Sequence, residues 1–301
     1  MKTNFPNSKQ SLHIYNRGHE YSTNEHMFQE DVVSGIMPFN GESKNFLNFK
    51  VKFTGKTKEN KDAINICKSF NSDSYRHDET DIICDCIENI ARSLSWSAEA
   101  IYEIIINEEK DKLYFSEVTP ANIYPIPFGL LQIQSKLEDD QKKYAFLQDK
   151  NLWTIKIPCI LGGKNGYKGI LHNLKKFNSF GPKFSIESNE FLYFIDHATY
   201  RHKNHIFNRK ATLNWGWDLR DIDREDKTEI YQYYQDLTFF WAQAVLRDHI
   251  VNELNSLFIR LEINSKIELL GIPTPKEILE FRKEMIDGNK SFNDVLKFIF
   301  Y

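Results

Sequence analysis

The residues best suited to chemistry sit close together past the middle of the chain. Asp196, His197, His202 and His205 fall within ten residues, with Asn204 and Asn208 nearby. Three imidazoles and a carboxylate are the donor types that hold zinc or a similar divalent ion. The plainer reading is a basic, solvated loop with ordinary histidines, and proximity in sequence alone favours it. Gly55-Lys56-Thr57 matches the end of a phosphate-binding loop, but position 50 is Lys where that pattern needs its first glycine. The backbone cradle for phosphate is therefore incomplete, and a turn after a strand is expected instead. Cys84 and Cys86, if helical, point about 200° apart, so they are not expected to share a metal, and Cys86 reads as core. No Gly-x-Ser-x-Gly element and no identifiable carboxylate pair occurs, so no residue is assigned a catalytic role and no cofactor is implied.

Charge supplies a second candidate. The whole chain carries a net charge of only −3, so global charge names no partner, yet its distribution is uneven. Residues 156–210 have a net charge of +7 and residues 78–118 a net charge of −8. The basic stretch is interleaved with Tyr167, Phe177, Phe180, Phe184, Tyr200 and Phe207. Basic residues mixed with aromatics suit a nucleic-acid backbone; a neighbouring copy's acidic stretch, or solvent alone, is the competing reading. Lys164, Lys168, Lys175, Lys176, Arg201 and Lys203 are the expected contacts to DNA or to a neighbouring subunit.

The elements that must carry these residues come next. Asn48–Thr54 alternates as a strand with one wet face. Glu79 to Ser95 is a helix: Asp78 suits the N-cap, and Ile83, Cys86, Ile87, Ile90, Ala91 and Leu94 share a face. Glu99–Asn107 and Lys112–Val118 form a β-hairpin across a charged turn. Leu130–Pro158 is β-rich, Asn165-Gly166 signals a tight turn, Ile170–Phe177 suits a short helix, and Glu190–Ile195 reads as an aromatic strand. Glu229 to Leu261 contains no Pro or Gly and is expected to be one helix about 50 Å long with at least half of its aromatics buried, within its own domain or between subunits. Thr274-Pro275-Lys276-Glu277 starts another helix, Gly288 ends it, and Ser291 caps a last one.

The expected fold is α+β. Residues 1–45 read as an extended arm, 46–217 as a mixed α+β domain with β-hairpins, 218–228 as a charged linker, and 229–301 as a helical domain of one long helix plus short ones. With 41% hydrophobic residues a fully disordered chain is excluded. The densest apolar stretch, Leu237–Leu246, is half of what a membrane helix needs, no signal peptide is apparent, and four cysteines are too few for a disulfide scaffold. A cytoplasmic protein with no membrane partner is expected.

Two resemblances give these features a context. Asp196-His197 followed by Asn and Lys210 is similar to the residue order of His-Asn-His nucleases, which would make the histidine cluster a metal-dependent nuclease site. The stretch 78–178 resembles the wing region of tailed-phage portal proteins: a helix, then a hairpin opened by Trp96-Ser97-Ala98-Glu99-Ala100-Ile101-Tyr102, then Val118-Thr119-Pro120-Ala121-Asn122-Ile123 and more strands. The ending, Pro273 to Ile278 through Gly288 to Ser291-Phe292, is similar to the helix–Gly–helix ending of many portals. The portal resemblance implies a non-enzymatic, homo-oligomeric phage or prophage protein whose ring passes duplex DNA, with capsid or other phage proteins as partners and the virion as its location. A non-catalytic protein-interaction module is the third expectation.

Overall fold

The computed structural model describes residues 5–12, 23–38, 49–70, 78–107, 112–120, 122–135, 142–178, 197–218 and 227–300. In chain order the elements are α1 (Thr23–Val33), β1 (Lys50–Phe53), α2 (Thr57–Ser69), α3 (Glu79–Ser97), β2 (Glu99–Ile106), β3 (Leu113–Glu117), β4 (Ile123–Ile126), β5 (Gly129–Ser135), β6 (Lys142–Gln148), β7 (Leu152–Lys156), α4 (Gly163–Asn178), α5 (His197–Trp215), α6 (Glu229–Arg260), β8 (Ile267–Leu270), α7 (Pro275–Ile286) and α8 (Phe292–Phe300). The fold is α+β, with small antiparallel sheets and a long helix in the C-terminal part.

The chain divides into two compact units. One comprises Met1–Arg17, Val33–Ile157 and Leu246–Ile272; the other comprises Gly18–Val32, Pro158–Val245 and Pro273–Tyr301. The chain therefore passes between units at 17/18, 32/33, 157/158, 245/246 (inside α6) and 272/273; the sequence suggested 218–228. A run of charge marks solvation, whereas a unit is defined by which segments pack together.

The first unit holds every described strand. They form a β1-β8 pair and two three-stranded sheets, β3-β2-β7 and β4-β5-β6, all antiparallel. The central strand β2 is buried along most of its length because β3 and β7 flank it and α3 packs against it. Helix α3 keeps the face expected of it: Ile83, Cys86, Ile87, Ile90, Ala91 and Leu94 are fully buried. It ends at Ala98, whose φ of 64° is left-handed and turns the chain straight into β2. Glu103 on β2 is only 1% exposed. Its carboxylate accepts the backbone N–H groups of Gln10 and Ser11 at 2.9–3.1 Å, which satisfies a charge that burial would otherwise penalise.

The second unit is helical among its described residues. Phe28, Tyr167 and Trp215 are fully buried and meet edge-to-face or tilted, with Trp217 on Phe28 at 5.2 Å between centroids. A second cluster joins Leu237, Phe240 and Ala244 of α6 to Ile278 and Met285 of α7 and Val295 of α8.

Several expectations change. The arm 1–45 is not simply extended: 23–33 is helix α1, with Phe28 and Val32 buried, and 5–12 is tied to β2 through Glu103 and Ile106. Asn165-Gly166 makes no tight turn. It lies inside α4, which spans the expected short helix at 170–177 and begins seven residues earlier, because four apolar residues of its face outweigh the local turn preference. Residues 57–69 form α2, which the dense charge of Lys58 to Asp62 concealed. The long helix α6 is unbroken as expected, but of its aromatics Phe240 and Phe258 are buried while Tyr231 and Tyr234 are exposed. Its apolar surface is covered by aliphatic packing within the chain, at Leu237, Leu246, Ile250, Leu254 and Leu257, while the Tyr231 hydroxyl accepts from Gln235 Nε2 at 3.3 Å and the Tyr234 ring lies under the Arg282 guanidinium. The expected strand at 190–195 lies outside the described residues. Among the described residues no helix is long and apolar enough to cross a membrane.

Candidate nucleic-acid interface

Past Pro158, the described part of the basic stretch folds into two helices of the second unit that pack against each other, α4 and α5. The chain enters α4 through Gly162 and Gly163, both at positive φ, 97° and 63°, which Gly adopts without steric cost. Tyr167, Ile170, Leu171 and Leu174 then bury one face at helical spacing. Helix α5 does the same with Asn208, Ala211 and Trp215, and it ends at Gly216 with φ of 70°. Asn208 donates to Asn204 one turn earlier, which pairs two amides along that face. Burial pushes the Tyr167 phenol well above its ordinary range, with the charge of Glu25 adding to the effect, so it stays neutral.

What remains outside is basic. Together α4 and α5 carry eight Lys or Arg and no Asp or Glu. On α4, Lys164, Lys168, His172, Lys175 and Lys176 recur at spacings of three and four and span about 120° of the helix surface. Lys168, Lys175 and Lys176 are exposed and Lys164 is half-buried. On α5, Arg201 is exposed and Lys203 half-buried. All six expected contact residues therefore lie on one helix pair.

The pair also brings in Arg209 and Lys210, both exposed, which were not among the expected contacts. The Lys210 ammonium lies 3.8 Å from the point where a Cβ on Gly169 would stand, so the missing side chain of Gly169 leaves room for a cation from α5 against α4. The signal available in the sequence was the absence of any acid across both helices; helical spacing becomes readable only once α5 is known to be a helix. Two exposed aliphatics, Ile206 and Leu213, share this outer surface of α5.

The histidine cluster is arranged differently from a loop. His197, His202 and His205 all lie on α5. Positions 197 and 202 are about 140° apart around that helix, and positions 202 and 205 about 60° apart. Asp196 lies outside the described residues. Among the described residues no group of three His, Cys, Asp or Glu is placed to hold a metal. Cys84 and Cys86 are both buried on α3, and burial raises the Cys86 thiol well above its ordinary range, with Cys67 beside it. Gly55-Lys56-Thr57 forms the connection from β1 into α2, where Lys56 is the N-cap residue.

No protein-family model matches the chain, and no curated protein matches it either.

Proposed function

We propose that the chain is a non-catalytic structural protein that contacts duplex DNA through the outer surface of α4 and α5, and that it works as a subunit of a portal-like ring. The observation that carries the DNA contact is the acid-free helix pair with its eight cations. A surface of one charge sign attracts a polyanion without reading its sequence, because Lys and Arg displace counterions from phosphates. The ring rests on the order of elements: α3, the β2-β3 hairpin, Pro120 and further strands, then α7, Gly288 and α8 at the end. Burial of the α6 apolar residues in their own chain means that α6 itself demands no neighbour, so the ring reading leans on element order and on charge.

Binding of labelled duplex DNA across a salt series tests the contact. The wild-type protein is expected to lose affinity with a log–log slope of about −0.9 per neutralised phosphate and to show little sequence preference. Changing Lys168, Lys175, Lys176 and Lys210 to Glu is expected to abolish that binding with the fold intact. Salt-insensitive or absent DNA binding at low salt removes the DNA contact. Mass measurement over a range of concentrations tests the ring separately: a monomer at every concentration and at low salt removes it. Elemental analysis giving about one zinc per chain, lost on His202→Ala, would favour the nuclease reading.

A further inference from the structure

We propose that the edge of β1 opposite β8, unpaired among the described residues, is a docking site for an extended acidic peptide, which joins the β1-β8 sheet as a third strand. The strand pairs antiparallel with β8, Lys50 opposite Leu270 and Phe53 opposite Ile267. Thr54 N–H donates to the Lys266 carbonyl at 3.1 Å, which makes 54 and 266 a hydrogen-bonded pair. Antiparallel ladders alternate, so Lys52 and Lys50 also face β8 with their backbone groups. The N–H and C=O of Val51 and Phe53 therefore point to the opposite edge. Among the described residues β8 is the only strand paired with β1.

Open space borders β1 and reaches Leu270 of β8. A cleft of about 510 Å³ is lined by all four residues of β1, by Thr57, Asn60, Lys61 and Ile64 of α2, and by Glu79. Four strand residues span roughly 13 Å, enough for a short extended segment with two pairs of backbone hydrogen bonds. The cleft also selects a charge. Among the described residues, Lys50, Lys52 and Lys61 line it against the carboxylate of Glu79. Lys52 is 4.0 Å from Glu268, whereas Lys50 and Lys61 have no ion-pair partner among the described residues. An edge that presents lysines repels a second basic strand and accepts one carrying Asp or Glu at alternate positions. Val51, Phe53 and Ile64 supply apolar contact for the intervening side chains. The β-sheet ladder gives the peptide its affinity and the lysines set its charge, so the ligand class is an acidic, strand-forming peptide segment.

The test uses the full chain and a fluorescent six-residue peptide alternating Glu with Val. Binding is expected to weaken with salt and to fall about tenfold or more in the double variant K50E/K61E, whose side chains are solvent-facing. The same peptide with Lys in place of Glu is expected not to bind. A third peptide, N-methylated at the residues that would donate to β1, keeps its charge and loses the ladder; it is expected to lose at least tenfold in affinity. Hydrogen exchange at the Val51 and Phe53 amides should be fast in the free chain and slow in the complex. Equal binding of the N-methylated peptide, equal binding of the lysine peptide, no binding of the glutamate peptide, or protection of both amides in the free chain would each overturn the proposal. None of these readouts involves DNA or the α4–α5 surface, so they stand or fall apart from the proposed function.

Discussion

Each unit has a phenylalanine surrounded by three aromatic rings, yet the two are not equivalent. Phe28 of the second unit is 0% exposed and meets Tyr167, Trp215 and Trp217 within 5.7 Å between centroids. Phe70 of the first unit closes the end of α2 and meets Tyr102, Phe115 and Trp153 within 5.5 Å, but it stays half-buried. The first unit already has a sheet and the aliphatic face of α3 as its core, so its aromatic group lies at the margin. The second unit has no described sheet, and rings brought from α1, α4, α5 and Trp217 form one of its buried clusters, together with the cluster that joins α6, α7 and α8. Burial on all sides, more than ring pairing, decides what each Phe contributes.

The largest effects should therefore separate the two. Phe28→Ala is expected to cost about 3–5 kcal/mol, the range for a fully buried Phe whose cavity cannot collapse. Phe70→Ala is expected to cost clearly less, since part of that ring is already in water. Urea midpoints of the two variants at unchanged slope check this, and an equal loss would break the comparison.

Next in size is Gly216→Ala. A Cβ there would stand 2.5 Å from the Gln235 carbonyl oxygen and 2.6 Å from the Phe239 backbone nitrogen, at a φ of 70°. Backbone cannot move aside as a flexible side chain can, so a loss of about 2 kcal/mol or more is expected from the clash and the left-handed conformation together. Thermal unfolding reads it directly.

A smaller pair sharpens the contrast at helix ends. The end of α6, in the first unit, closes with Glu262 at φ 60°, Glu262 N–H on the Ile259 carbonyl and Ile263 N–H on that of Phe258. The end of α7, in the second unit, repeats the motif with Gly288 at φ 77°. Only the second has the residue this geometry favours. Glu262→Gly is expected to stabilise the protein by about 1 kcal/mol and Gly288→Ala to destabilise it by about as much. Opposite shifts in the urea midpoint confirm the pair.

The smallest effect concerns the start of α7. Thr274 Oγ1 accepts the Glu277 N–H, and the Glu277 carboxylate accepts the Thr274 N–H at 2.7 Å and its hydroxyl at 2.8 Å. These bonds hold the Glu277 carboxyl below its ordinary range. A depressed carboxylate contributes stability above its unfolded pKa and loses it as pH falls through the folded value. Thr274→Ala is expected to cost about 1 kcal/mol at pH 7, with the penalty shrinking as pH falls below the folded pKa of Glu277. A penalty that grows on acidification would contradict the assignment.

Legibility in the sequence followed locality. Helix α3, the β2-β3 hairpin, unbroken α6 and the α7 cap were readable because period, turn residues and capping residues act over a few positions. Helix α1 was missed: its apolar residues are few, and Phe28 is buried by Tyr167 and Trp215, which are far away in sequence. The six expected cations were legible as charge, but their common helix pair was not, since α5 was read as a loop and Arg209 and Lys210 were left out.

By itself the sequence determined the α+β class, the main helices and where positive and negative charge concentrate, because each depends on neighbours within one or two turns. Only the tertiary structure decided that α4 and α5 pack with their cations outward, that α6 buries its apolar faces in its own chain, and that β1, among the described residues, pairs with β8 alone. Those outcomes depend on which distant segments exclude water from which faces, and no local pattern encodes that choice.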